Sequence, residues 1–122
     1  VRTMAILAQL VDDVVVHKFE LTEPSTSLGR HPDNTVVIDD SAVSSRHATL
    51  EQRENSHFPE FKEHYLEDTG STNGTYVNDL RIEGQQRLHH NDIIRVAWNK
   101  FKFIDDKEAQ MEQTVHMLNK TI

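Results

Sequence analysis

Asp68-Thr69-Gly70-Ser71-Thr72-Asn73-Gly74-Thr75-Tyr76-Val77-Asn78 carries more backbone instruction than any other stretch of this 122-residue chain. Its two glycines allow positive φ, its Asp and Asn favour side-chain-stabilised turns, and its run of hydroxyl and amide side chains leaves almost nothing apolar to bury. Tyr65 and Leu66 before it and Tyr76 and Val77 after it are apolar and β-prone. The stretch therefore reads as a polar loop joining two strands at the rim of a sheet. Rigid loops on a rigid scaffold are where binding groups are usually presented.

Outward from that loop the chain breaks into short, β-prone segments. Met4 to Leu10 and Val14 to Leu21 form a hairpin with an acidic tip at Asp12-Asp13. Ser27 to Arg30 is a short strand, His31-Pro32-Asp33-Asn34 a turn, Thr35 to Ile38 a compact β-branched strand, and Asp39 to Ser45 a second polar loop. In His47 to Gln52, Ala48 and Leu50 alternate with Thr49 and Glu51, as a half-buried strand requires. Glu54 to Glu63 is polar and contains Pro59, and reads as a surface loop whose Phe58 and Phe61 cover a core edge. His64 to Glu67 leads into the opening motif. Asn78-Asp79 suits a tight turn to Leu80–Ile82, and Asp92 to Ala97 with Lys100 to Ile104 makes a last hairpin around Trp98-Asn99. From Asp105 to Leu118 the pattern is acidic first, with Met111, Val115 and Leu118 at helical spacing, so a short C-terminal helix or tail is expected. The whole indicates an all-β fold, an antiparallel β-sandwich over residues 1–104, followed by a tail over residues 105–122.

Composition narrows the function. The length suits one domain. With no cysteine, no run of eighteen apolar residues and no signal-peptide pattern, the sequence reads as soluble and suited to a reducing, cytoplasmic setting. A net charge of -7 argues against nonspecific nucleic-acid or anionic-membrane binding, yet a local cluster of donors can still hold an anion, because distant carboxylates are screened within about 8 Å. The eight histidines are scattered, and the adjacent pair His89-His90 would face opposite sides of a strand, so no metal or other cofactor is expected.

Three polar segments stand out: Gly29-Arg30, Ser44-Ser45-Arg46-His47 and Ser71-Thr72-Asn73-Gly74. Alternate turns of a sandwich gather at one end, so these segments can converge. Together they offer a guanidinium fork, several hydroxyls, an amide and glycine-freed backbone N–H groups, an inventory suited to a tetrahedral oxyanion such as phosphate. Arg30 supplies a planar, permanently charged donor that lysine would not match. Ser44 and His47 raise the thought of a nucleophile with its base, but the motif offers no obvious carboxylate to orient the imidazole and neither serine sits in a strand-turn-helix elbow, so no enzyme is expected.

The order Gly-Arg, Ser-x-x-His, Ser-Thr-Asn-Gly-Thr, Val-Asn resembles the forkhead-associated (FHA) domain over roughly Ala5 to Ile104. That resemblance implies an eleven-stranded β-sandwich whose loops at one end bind phosphothreonine peptides in bacterial signalling linked to Ser/Thr kinases. It implies that Arg30, Ser44 and Thr72 meet the phosphate, that Ser45 lies close to it or to the peptide backbone, and that Asn73 bonds the peptide main chain. Gly29, His47, Gly74 and Asn78 would hold the loops in shape. Asp79 and Asn91 stand where relatives often have glycine, and both residue types tolerate the left-handed region. Ala42 stands where some relatives carry a basic residue that selects an acidic side chain three places after the phosphothreonine, which weakens the case for that preference here. The rival expectation is a phospho-independent scaffold that docks a partner through a sandwich face or the C-terminal helix. Thr114, outside the sandwich, is a candidate phosphorylation site. The kinase, the partner and the oligomeric state are not legible.

Overall fold

A computed structural model describes residues 5–58 and 61–107. Eleven strands form two packed sheets. They are β1 (Ala5–Val11), β2 (Val14–Glu20), β3 (Ser25–Gly29), β4 (Val36–Val37), β5 (Ala48–Glu54), β6 (Lys62–Asp68), β7 (Thr75–Val77), β8 (Leu80–Arg81), β9 (Gln85–Leu88), β10 (Ile93–Val96) and β11 (Asn99–Asp105). One sheet has the order β2-β1-β11-β10-β7-β8 and the other β4-β3-β5-β6-β9. The opening motif thus runs from β6 in one sheet to β7 in the other, so it caps the gap between layers rather than joining neighbours within a sheet.

Period-2 alternation builds the interior. Phe101 and Phe103 of β11 and Ile94 and Val96 of β10 are fully buried, alternating with Lys100, Lys102 and Arg95. They face Leu28, Ala48, Leu50, Leu66 and Leu88 of the second sheet. Tight turns follow their side chains. Asp12 and Asp13 have φ of 52° and 63°, Asn78 and Asp79 have 50° and 69°, and Asn91 has 75°, as the Asx residues in these turns permit.

Several expectations change. β4 runs parallel to β3, pairing Leu28 with Val36 and Gly29 with Val37, because Asn34 folds the intervening turn back on itself by bonding the His31 and Ser45 carbonyls. β9 had no counterpart in the sequence reading: it is a polar edge strand in which Leu88 alone is buried. β5 and β6 extend into the stretch read as a loop, paired through Glu54 and Lys62 whose side chains meet at 3.0 Å. Phe58 covers no core edge; it is 52% exposed and meets Phe61 edge-on. The last hairpin turns on Ala97-Trp98, with Asn99 already in β11. Asp105 is at once the buried end of β11, opposite Ala5, and the cap of a helical start at Asp106-Lys107, its carboxylate accepting the Lys107 N–H at 3.1 Å. Thr114 and the helical pattern over Met111, Val115 and Leu118 lie outside the described residues.

One core residue is uncomfortable. His64 of β6 is 2% exposed against the Phe103 ring, and neither ring nitrogen has a partner among the described residues. Burial pushes its pKa below the ordinary 6.5, and the Asp105 charge opposes that only in part. Because the unfolded chain takes up this proton more readily than the folded one, the wild type loses stability as pH falls through about 6.5. His64→Leu is expected to be at least as stable as wild type at pH 7.5. Its advantage should grow in urea titrations at pH 5.5, and an advantage independent of pH would show that His64 charges freely in the fold.

Candidate functional site

The three polar segments do converge. The Arg30 N–H donates to the Ser44 carbonyl at 3.0 Å and the His31 N–H to Ser45 at 3.2 Å, so β3 continues as a short ladder along the Ser44–His47 segment. From the other sheet junction the Thr72 N–H donates to Ser44 Oγ at 3.1 Å, and the Asn73 amide donates to the Ala42 carbonyl at 2.7 Å. Ser44 is therefore shared by all three segments. Its oxygen accepts from Thr72, which leaves its own hydroxyl hydrogen free to point at a ligand.

His47 is the rivet beneath them. It is fully buried, its Nδ1 accepts the Ser44 N–H at 3.1 Å, and its Nε2–H donates to the Gly74 carbonyl at 2.8 Å. Those two bonds require the neutral tautomer with hydrogen on Nε2. Its own backbone N–H donates to the Leu28 carbonyl, and its carbonyl accepts from Thr69. Both ring nitrogens are taken by backbone groups, so neither is available to draw a proton from Ser44 Oγ.

Gly29 is needed for close approach. A Cβ there would lie 2.3 Å from the Ser45 carbonyl oxygen and 2.7 Å from Asn34 Nδ2. Gly74 has φ of 84° with the Arg81 and Tyr76 side chains against it. Asn78 serves the scaffold one step away: its amide donates to Asp92 and its carbonyl oxygen accepts the Ile93 N–H, tying the β7–β8 hairpin to β10.

The loop Thr69–Gly74 is wound around Asp68, which the site reading missed. One carboxylate oxygen accepts the Gly70 and Ser71 N–H groups at 2.8 Å, and the other accepts the Ser71 and Thr75 hydroxyls. Burial alone would raise its pKa. The Ser71 and Thr75 hydroxyls and the two amides outweigh that and hold it down to about 2. Asn34 was also missed; it is 5% exposed and pegs the Ser45 carbonyl. The signal for Asp68 was present, since Asp followed at two and three residues by Gly and Ser is an Asx-turn pattern. Asn34 left no such signal, because its partner lies eleven residues away.

The electrostatics favour an anion. Arg30, Ser45 and Thr72 are exposed, and their side chains make no hydrogen bond or ion pair among the described residues. Three nearby carboxylates have partners, while Asp39, in the loop before Ser44, is exposed without one among the described residues. Asp68 is wrapped by its four donors, and Asp40 accepts from the Ala42 N–H and the Asn99 amide, which lower its pKa in that order. Asp33 lies beside His31 and Arg46, at 3.6 and 3.8 Å. Arg46 also reaches Asn34 at 3.4 Å, so its guanidinium leans on the β3–β4 turn. The Arg30 backbone is bonded to the Ser44 carbonyl while its guanidinium fork is left unpartnered, a donor type suited to a phosphate group.

Two outcomes check this arrangement. Gly29→Ala should cost about 1–3 kcal/mol through the clash with the Ser45 carbonyl, read as a lower urea midpoint. Asp68→Asn should be less stable than wild type at neutral pH. Because the folded carboxyl titrates near 2 and its ordinary value is 3.8, that deficit should persist down to about pH 4 and shrink as pH falls toward 2. A deficit unchanged over that range would show that the charge of Asp68 does not hold the loop.

Residues 26–97, more than half of the chain, match the family model described as the FHA domain. The glycogen accumulation regulator GarA of Mycolicibacterium smegmatis is 46% identical over 87 residues, covering 71% of this chain and 49% of GarA. The chain spans about half the length of this curated relative. Mycobacterium tuberculosis EmbR, solved in complex with a low-affinity phosphopeptide, superposes with a TM-score of 0.71 at 26% identity, over 84% of this chain and 24% of EmbR. A structure from a structural and functional analysis of phosphothreonine-dependent FHA domain interactions superposes at 0.66 with 30% identity, over 84% of this chain and 96% of that one. Two layers of strands, a rim knotted at Ser44 and His47, and the family match lead to one conclusion: the chain belongs to the FHA domain family.

Proposed function

We propose that this domain is a non-catalytic reader of phosphothreonine in a partner protein, acting in the cytoplasm downstream of a Ser/Thr kinase. The observation that carries the reading is the linkage of the Arg30 and Thr72 backbones through Ser44, with the Arg30 guanidinium and the Thr72 hydroxyl exposed and without partners among the described residues. Arg30, Ser44 and Thr72 would take the phosphate oxygens, and Ser45 is placed to add a donor. Asn73 donates one amide hydrogen to Ala42 and keeps its remaining capacity for the main chain next to the phosphothreonine. The phosphopeptide on EmbR and the phosphothreonine-dependent interactions of the other solved relative support the same chemistry here.

Charge-assisted bonds are worth roughly 1.5–3 kcal/mol each, so two or three supply much of the roughly 8 kcal/mol of a micromolar complex. Threonine differs from serine by a methyl worth about 0.8 kcal/mol when buried, so a strong choice between them also needs shape and fixed backbone geometry.

A second reading, phospho-independent docking, has one observation behind it: Val14, Val15 and Val16 of edge strand β2 are 62, 55 and 44% exposed in the order Val14, Val16, Val15. Titration with a phosphothreonine peptide and its unphosphorylated twin separates the two. The phosphorylated peptide should bind at least tenfold more tightly, and Arg30→Ala should abolish the difference while leaving the thermal midpoint within a degree or two, as expected for an exposed side chain. Equal binding of the twins refutes the phosphate reading, and partner capture that survives Arg30→Ala supports the β2 edge.

A further inference from the structure

The rim does not end at the phosphate-facing residues. The Ala97 N–H donates to the Gly74 carbonyl at 3.2 Å, and the Asn99 amide donates to Asp40 at 2.9 Å, so the β10–β11 turn is fastened to the Thr72–Gly74 loop and to the loop that leads to Ser44. Beyond that turn, cross-strand pairing of Leu10 with Lys100 sets the tip of the β1–β2 hairpin alongside it. Between the two lies a groove of about 420 Å3, lined by Leu10, Val11, Asp12, Asp13, Trp98 and Lys100 among others. Trp98 is 66% exposed and Val11 52%. Asp12 and Asp13 are exposed at the tip with no ion pair among the described residues.

An exposed tryptophan beside an exposed valine is an unusual use of surface, because aromatic rings bury large apolar areas at low entropic cost when a partner covers them. Two adjacent carboxylates against the single Lys100 ammonium give the groove an acidic excess, which a basic side chain fits better than an acidic one. The backbone path from Thr72 through Asn73, Gly74 and Ala97 to Trp98 is at most about 18 Å, a span that about five residues of extended peptide cover.

We propose that this groove is a second subsite for the phosphothreonine partner, receiving an apolar side chain against Trp98 and Val11 and an adjacent Lys or Arg against Asp12 and Asp13. The subsite rests on the phosphothreonine reading above, since the phosphate anchors the peptide that crosses to it. It gives the module a sequence preference that the phosphate alone does not supply. It also places selection on the hairpin tip and the β10–β11 turn, where Ala42 offers no charge to select an acidic residue.

The experiment is selection from a peptide library with fixed phosphothreonine and about five randomised positions on either side, the reach set by the path length. Wild type is expected to enrich an apolar residue next to Lys or Arg, three to five places to one side. Trp98→Ala should erase the apolar preference and weaken the selected peptide about tenfold, and Asp12→Asn with Asp13→Asn should erase the basic one, with an effect that fades at high salt. Both variants should still prefer the phosphorylated peptide over its twin. Trp98 is the chain's only tryptophan, so its emission should shift to the blue when the selected peptide saturates the protein. Phospho-dependent binding with no such enrichment, the same enrichment in the variants, or unmoved Trp98 emission overturns the subsite. If neither twin binds, the phosphothreonine reading itself falls.

Discussion

A fully buried imidazole sets the geometry of the rim. His47 sits where β5 begins, and by accepting from Ser44 and donating to Gly74 it fixes two loops that leave different strands and reach different sheets. Neither bond tolerates much error, because a buried polar group without its partner costs on the order of 1–3 kcal/mol. Once the ring is in place the Ser44 hydroxyl meets the Thr72 N–H, and Arg30, already hydrogen-bonded to the Ser44 carbonyl, has no freedom to leave. Preorganisation follows. The ordering entropy that a flexible loop would lose on binding is spent during folding instead.

Charge is arranged with the same economy. An acidic body would repel a phosphate if its carboxylates lay open at the rim. Asp68 instead turns inward to four donors and winds the loop that carries Thr72 and Asn73. Asp40 holds the Ala42 turn to Asn99. Asp68 and Asp40 are therefore structural parts of the site, and the open cations beside it are Arg30 and, against Gly74, Arg81. Asp12 and Asp13, open carboxylates farther along the rim, lie where a basic side chain can meet them.

The strands were legible wherever alternation was strong, as in Phe101 and Phe103 against Lys100 and Lys102, and the tight turns wherever Asx residues could take positive φ, as at Asn78-Asp79. The three converging segments were legible because each carries a distinctive string of residues. What escaped depends on partners distant in the chain. β9 is polar on all but one residue and exists because β6 offers it an edge. The parallel turn of β4 depends on Asn34 reaching Ser45, eleven residues away. Local propensity encodes none of these meetings. Phe58 was misplaced for the same reason: an apolar residue in a polar loop looks like a core cover until the register of β5 with β6 leaves it outside.

The claim on which everything else rests is that segments separated by up to about forty residues act as one phosphate-accepting unit. The most direct test is a backbone amide NMR titration with a phosphothreonine peptide. The account expects the amides of Arg30, Ser44, Ser45, Thr72 and Asn73 to move together along one saturation curve, with the unphosphorylated peptide leaving them in place. Saturating binding that leaves those amides unmoved, or moves them with separate affinities, would contradict it.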